Sequence, residues 1–474
     1  MIPIRLGEIG TATLACGDRE LAITSVVADS RLARPGALFV CLRGSCRDGH
    51  DYALDAAGRG AVAVLCARGR GPIAAGLALL EADDPLVALG GVARLVRRRS
   101  RAHVIGVAGS AGKTSSKDVL RALLAPHLPT VASPASYNNQ LGVPLTLSLL
   151  EADTAACVCE LGTGAPGELA GLCAIAEPSL GVITAIGPEH LEFFGTLEAV
   201  AAEEAALIAA LPRSAPLVLP QDAQLLEPSR RGDLDEWRFG LQPPADVHPL
   251  VWRPAADATE VVLAVRGERV AFATNLRLPH HRLTLAAAVA ACAALGLPLD
   301  RIGEGAAAVE LSPWRGQEHP LPDGGVLIND AYNANPLSVA AALEALAARR
   351  DGGRAIAVLG EMAELGPDAP RWHARAGSQA AALGIDVLVA VGPGARAYLD
   401  GAAGRIRCCW FPDVPAARRA LPALLQPGDA VLLKGSRSAR LELLAEALAR
   451  WGSRARSPLS RSSSRFAAGC GRCT

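Results

Sequence analysis

Residues 104–118 read VIGVAGSAGKTSSKD, an apolar β-branched run that stops at a glycine-rich turn and then opens a helix. The order predicts strand, loop, helix. Gly109, Ser110, Ala111 and Gly112 carry little side chain, so their backbone N–H groups can converge as an anion nest at a helix N-terminus. A phosphate is the natural guest. Lys113, expected on an exposed loop, would supply a point charge to it, and Thr114 a hydroxyl to Mg²⁺, with Ser115 beside them. Val107 stands at the first glycine position of the full P-loop string, so the reading rests on the shorter G-S-A-G-K-T. Val119, Leu120, Leu123 and Leu124 then fall on one helical stripe, as a helix packed on a sheet requires.

Outward from this stretch, 474 residues correspond to about three domains of ordinary size. Half the residues are hydrophobic and 48 are glycine, which suits α/β architecture with buried parallel strands. Lys+Arg and Asp+Glu balance at 47 each, leaving no global field to recruit nucleic acid or an anionic membrane, so a small-molecule partner is expected. The opening MIPIRLGEIG lacks the charge and the apolar run of a signal peptide, and no stretch approaches the roughly 18 apolar residues of a spanning helix. The expectation is a cytoplasmic monomer without membrane insertion. Of the 12 cysteines, Cys157, Cys159, Cys173 and Cys292 lie in apolar contexts and read as buried thiols. The basic run Arg97-Arg98-Arg99 reads as the solvated end of a helix.

Taken in order, residues 1–100 read as a small α/β lobe, in which Asp29-Ser30-Arg31 and Asp48-Gly49-His50 sit at strand or loop ends. Such triplets either contact a ligand or only cap turns, and the sequence leaves both open. Residues 101–311 alternate strand and helix, predicting a parallel sheet with ligands beyond the carboxyl ends of its strands. Glu160 closes AACVCE and is a Mg²⁺ ligand candidate, because a carboxylate ending an apolar strand is costly unless paired or metal-bound. His190 follows LGVITAI through a turn, although magnesium's preference for oxygen weighs against it. Residues 312–452 repeat the alternation with four strand-like runs, closed by Asp330, Glu361 and Lys434. Two α/β domains would turn their strand ends to a shared cleft, as two-substrate chemistry with domain closure requires. The Ser/Arg-rich residues 453–474 read as a dispensable disordered tail.

Together these strings resemble the ATP-dependent Mur ligases. The resemblance rests on DSR with DGH, GSAGKTSSK, YNNQLGVPLTL, ELGTGAPGEL, GPEHLEFFGTLE, NDAYNANP, GEMAELG with His373, and KGSR, eight motifs in one order. NDAYNANP followed by GEMAELG is similar to the members that add D-alanyl-D-alanine to UDP-N-acetylmuramoyl-tripeptide (UDP-MurNAc-tripeptide). The resemblance implies a UDP-sugar lobe, a central P-loop ATPase domain and a Rossmann-like third domain. It assigns Gly109–Ser115, Asn138, Asn139, Arg315, Asp330, Asn333 and Asn335 to ATP, and Thr114, Glu160 and His190 to Mg²⁺. Asp29, Ser30 and Arg31 fall to the UDP-sugar, and Lys434 and Arg437 to a substrate carboxylate. Lys113, His190 and Glu204 would carry catalysis.

Four positions depart from the family pattern. Glu204 stands for a carbamylated lysine, Pro279-His280-His281-Arg282-Leu283 for a G-x-H-N string, Glu361 for aspartate and Ala108 for threonine. Glu204 is either an anion replacing the carbamate, reaching metal through water, or one more solvated helix glutamate beside Glu203. A sister ligase adding another amino acid, and a nucleotide-binding paralogue that no longer ligates, remain alternatives.

Overall fold

The computed structural model describes residues 1–71, 76–255, 257–321 and 324–449. The tail 453–474, with Cys470 and Cys473, lies outside the described residues. Among those described, three main sheets follow one another along the chain.

The first sheet runs Thr13–Cys16, Ala78–Ala82, Ala61–Ala67, Ala37–Val40, Ser25–Val27, parallel except for its first pair. The helix after it, Pro85–Arg99, starts at Asp84, whose carboxylate accepts from the Leu86 and Val87 N–H groups. Its buried face, Leu89, Val92, Ala93 and Val96, shares a core with Val143, Leu147, Leu169 and Leu172 of the central region. The basic run is therefore not merely solvated. Arg97 donates to the Ala176 and Glu177 carbonyls (3.0 and 2.9 Å), and Arg94 and Arg98 pair with Glu177. The Arg97 guanidinium thus satisfies carbonyls at the end of the helix Glu168–Ala176 that nothing in that helix can reach.

The central sheet has nine strands, and its heart is the order Pro216–Pro220, Leu180–Ile183, His103–Ala108, Ala156–Glu160, Thr130–Ala132, all parallel. The chain goes from His103–Ala108 first to one side and later to the other, so a topological switch point opens at that strand's carboxyl end. The expected all-parallel sheet is incomplete. Beyond Asp235–Phe239 and Val247–Pro254, Thr259–Val265 and Glu268–Thr274 extend it as an antiparallel hairpin. Its turn is Arg266-Gly267, both in the left-handed region (φ 47° and 90°), which a two-residue hairpin requires. In Glu268–Thr274 burial falls on Val270 and Thr274 while their neighbours stay exposed or half-buried, the pattern of a sheet with one solvated face rather than of the doubly covered strands.

The third sheet runs Gln317–Pro320, Val326–Asp330, Ala430–Lys434, Ala355–Gly360, Val387–Val391, Arg407–Phe411. The four anticipated runs form its centre. The antiparallel edge Gln317–Pro320 and the strand Arg407–Phe411 are additions, and both edges carry Arg, His or Pro, residues that discourage further pairing. No described helix is long and apolar enough to cross a membrane.

Candidate active site

The turn after His103–Ala108 is fastened to the neighbouring strand end. Ser110 N–H donates to the Ala185 carbonyl (2.7 Å), Gly187 N–H to Ser110 Oγ (3.0 Å), and Thr184 Oγ1 to the Ala111 carbonyl (2.7 Å). Gly109 has φ 117°, and a Cβ there would stand 2.5 Å from Thr184 Oγ1, so only glycine allows this approach. The helix Lys113–Leu124 begins immediately after Gly112, placing its free N–H groups at the cavity.

That cavity, about 440 Å³, lies between the central and third domains. Its wall unites Ser110, Ala111, Gly112, Lys113, Thr114, Asn138, Asn139, Glu160 and His190 with Arg315, Asn333 and Asn335. The third domain is held there by direct bonds: Arg315 Nη2 donates to Thr114 Oγ1 (3.0 Å), and Asn335 Nδ2 to the Ser110 carbonyl (2.9 Å) while its Oδ1 caps the helix Pro336–Ala348. The Arg315 guanidinium also lies 4.0 Å over the Tyr332 ring.

Glu160 is 1% exposed; its Oε1 accepts from Thr114 Oγ1 (3.1 Å) and Asn138 Nδ2 (2.8 Å), while Oε2 is buried without a protein partner. Asn139 caps the next turn, accepting from the Leu141 and Gly142 N–H groups.

Lys113 is not the exposed loop lysine expected. It opens the helix with a side chain 11% exposed, donates to the Gly109 carbonyl and stands 3.5 Å from Glu189 Oε2. Burial alone lowers its pKa, but Glu189, Glu204 and Glu160 outweigh burial and hold it above the ordinary lysine value. Burial pushes Glu189 up to about 7, against the pull of Lys113. His190 is lowered by burial, with Glu364 opposing; its Nδ1 bonds Glu364 Oε2.

Of the two readings of Glu204, the solvated one is excluded. The residue is 1% exposed, its Oε2 accepts the Gly109 N–H (2.7 Å), and Oε1 is buried without a partner, so it is not a solvated glutamate. Burial raises its pKa while Lys113 and the Gly109 amide hold it down. Glu203 is occupied too, accepting from Thr163 Oγ1 and from the Gly167 and Leu169 N–H groups.

Several anticipated residues lie off the cavity wall: Gly109, Ser115, Glu204, Asp330, Lys434 and Arg437. Lys434, 2% exposed, faces a protein carboxylate rather than the cavity, donating to Asp330 Oδ2 (2.5 Å) and the Asn333 carbonyl (3.0 Å). Burial lowers its pKa, and Asp330 opposes the shift. Arg437 pairs with Glu442 (2.8 Å) and lies 4.5 Å over Trp314. In the departing string, His280 and His281 are turned inward, and His281 Nδ1 accepts the Leu278 N–H (3.2 Å).

The first domain holds a cavity of about 980 Å³ lined by Asp29, Ser30, Arg31, Arg43, Arg47, His50 and Arg70. Both triplets cap turns as well as line it. Asp29 accepts the Arg31 N–H and pairs with its guanidinium, which holds the carboxyl down at about 2. Asp48 accepts from His50 N–H and Arg70, and His50 Nε2 accepts the Ala67 N–H (3.1 Å). A smaller cavity of about 210 Å³ shares Leu86 and Leu141 with this one, and Asn139, Gly162 and Glu168 with the glycine-loop cavity.

A glycine turn opening a helix at a sheet switch point, closed by a second α/β domain and joined to an arginine-lined lobe, is the architecture of a nucleotide-dependent ligase, and the chain belongs to the Mur ligase family. Residues 22–111 match the family's catalytic-domain model, 107–293 the Mur ligase middle domain, and 315–437 the Mur ligase glutamate ligase domain. The UDP-N-acetylmuramoyl-tripeptide–D-alanyl-D-alanine ligase of Mycobacterium tuberculosis H37Rv is 37% identical, over 89% of this chain and 91% of its own. That of Escherichia coli K12 is 32% identical, over 90% and 94%. The MurF crystal structure from Acinetobacter baumannii superposes with TM-score 0.80 at 28% identity, covering 90% of this chain and 94% of that one. The MurF ligase of Thermotoga maritima, in complex with ADP, gives 0.79 at 25% identity, covering 91% and 98%.

The sequence reading passed over Glu189 and Glu364 as functional residues, although both stand inside quoted motifs, GPEHLEFFG and GEMAELG. An acidic residue adjoining a candidate ligand histidine was the available signal for Glu189. For Glu364 there was none, because its partner is 174 residues away.

Proposed function

We propose that the chain joins D-alanyl-D-alanine to UDP-MurNAc-tripeptide, using ATP and Mg²⁺, in peptidoglycan precursor synthesis. The observation that carries this reading is the run of three cavities with shared walls, from four arginines in the first domain to the glycine loop. An elongated anionic substrate fits that path, with its diphosphate among the arginines and its peptide carboxylate at the loop. The curated relatives of matching length support the choice of substrates.

In this reading a substrate carboxylate oxygen attacks the γ-phosphorus of ATP and ADP leaves. The amine nitrogen of the dipeptide then attacks the acyl carbon, phosphate leaves, and the nitrogen gives up a proton. Charge stabilisation and positioning are the protein's contribution. With the Gly109 and Ser110 N–H groups donated to Glu204 and Ala185, it is the N–H groups from Ala111 into the first turn of the helix that hold the phosphates, and Lys113 moves its charge from the surrounding carboxylates to the transferring phosphoryl group. Arg315 adds a second cation from the third domain, held flat by Tyr332.

Thr114 Oγ1 and the partnerless Glu160 Oε2 fit a hard cation. Among the described residues no three His, Cys, Asp or Glu side chains are arranged to hold a metal alone, as suits an ion whose shell is completed by phosphate and water. When bound, Mg²⁺ supplies charge neutralisation on phosphoryl oxygens.

The test is ADP release from ATP and UDP-MurNAc-tripeptide, with and without D-alanyl-D-alanine. Release that depends on the dipeptide supports the reading. Release with a different amine only indicates a sister ligase, and nucleotide binding without release indicates a non-ligating paralogue.

A further inference from the structure

We propose that Glu364, on the third domain, is the positioning residue that turns His190 of the central domain toward the nucleotide cavity, so that the ring is set only when the two domains meet. The inference rests on the nucleotide and Mg²⁺ reading of that cavity.

His190 and Glu364 each adopt a left-handed backbone (φ 50° and 63°), a conformation uncommon outside glycine. Each side chain stands on such a turn, and Glu364 Oε2 takes His190 Nδ1. The backbones are joined as well, since the Glu192 N–H donates to the Glu364 carbonyl (3.0 Å) and Leu191 packs against the third-domain core. On its own side Glu364 stands on a braced loop. His373 Nε2 accepts the Met362 N–H (2.9 Å), and Ser436 Oγ accepts the Ala363 N–H (2.8 Å).

With Nδ1–H donated to the carboxylate, Nε2 carries the lone pair, and His190 lines the cavity with that nitrogen 3.6 Å from Glu189 Oε1. A carboxylate on the far nitrogen fixes both tautomer and ring plane, as outer-sphere partners of ligating histidines do. The Glu364 side chain is 47% exposed, so the pair itself contributes little to folding. Its consequence is orientation.

Calorimetric binding of ADP, in EDTA and with Mg²⁺, to the parent, Glu364→Ala and Glu364→Gln tests this. Glu364→Ala should weaken Mg·ADP about tenfold or more while leaving metal-free ADP within about twofold, the scale of outer-sphere losses in metal affinity. Glu364→Gln, whose amide oxygen still accepts the ring N–H, should stay within about threefold of the parent. An unchanged Mg·ADP affinity in Glu364→Ala, or an equal loss with and without metal, overturns the inference. A parent that binds neither form refutes the nucleotide reading itself, and this inference with it.

Discussion

Replacing Lys113 by alanine removes the cation from a buried acidic cage, and the consequence depends on pH in a calculable way. Glu189 is raised to about 7 with Lys113 still pulling it down, so losing the lysine moves it higher. At about pH 5.5 Glu189 is largely protonated in the parent and the variant alike. Above pH 7 the parent's Glu189 is ionised, while the variant's either keeps its proton or sits buried without a partner. A carboxyl whose folded pKa exceeds its unfolded one loses stability as pH rises, by about 1.4 kcal/mol per pH unit between the two. Between about pH 7 and 8.5 the Lys113→Ala deficit should therefore widen, by up to about 2 kcal/mol. Turnover should fall by about 10² or more, since the charge on the transferring phosphoryl is lost. Urea unfolding of both proteins without metal, across this pH range, reads the first quantity, and ADP release reads the second. A deficit flat to within about 0.5 kcal/mol across the range, or turnover within about threefold of the parent, would refute the cage.

Glu189→Gln removes the titrating group, so parent minus variant stability should fall by up to about 3 kcal/mol as pH rises from 4.5 through about 7; a pH-independent gap in the same unfolding series contradicts this. Glu204→Ala leaves the Gly109 N–H without its acceptor and should cost about 1–3 kcal/mol together with at least about tenfold in turnover. The parent should also be indifferent to added bicarbonate, because a glutamate carboxylate needs no CO₂ adduct; bicarbonate-stimulated ADP release would argue against this. Glu203→Ala should lower the melting temperature, since three donors around residues 163–169 lose their acceptor. Arg315→Lys keeps the charge but cannot stack on Tyr332 while reaching Thr114, so kcat should drop with ATP binding largely kept, and a parental kcat would remove Arg315 from the closing contacts.

Features governed by neighbours in the chain were legible. The turn at 109–112 announces a strand before it and a helix after it, because small residues, β-branched runs and a 3.6-residue stripe are local properties. Glu160 as a polar end to an apolar strand was legible for the same reason. The antiparallel hairpin of the central sheet was equally local, with a period-two pattern around Arg266-Gly267, and was lost only because a βα rhythm was extended over residues that do not follow it.

What sequence could not supply is charge state and pairing across distance. Lys113 reads as a loop lysine until three acidic residues, Glu160 ending a strand, Glu189 in the loop after Leu180–Ile183 and Glu204 on the helix Leu197–Glu204, are folded around it. Lys434 reads as a free cation until Asp330, 104 residues earlier, occupies it. The contacts that close the cleft span 201 residues from Arg315 to Thr114 and 225 from Asn335 to Ser110. In each case the residue type was readable from the chain, while the partner depended on which strand ends the sheet order brings together. Glu204 makes the distinction plain. Its position on a helix was readable, but whether it faces water or the glycine loop turns on one helical face. Only the packing of Val200, Ala201 and Glu204 inward, with Ala202 and Glu203 left more accessible, decides that the carboxylate meets the Gly109 amide.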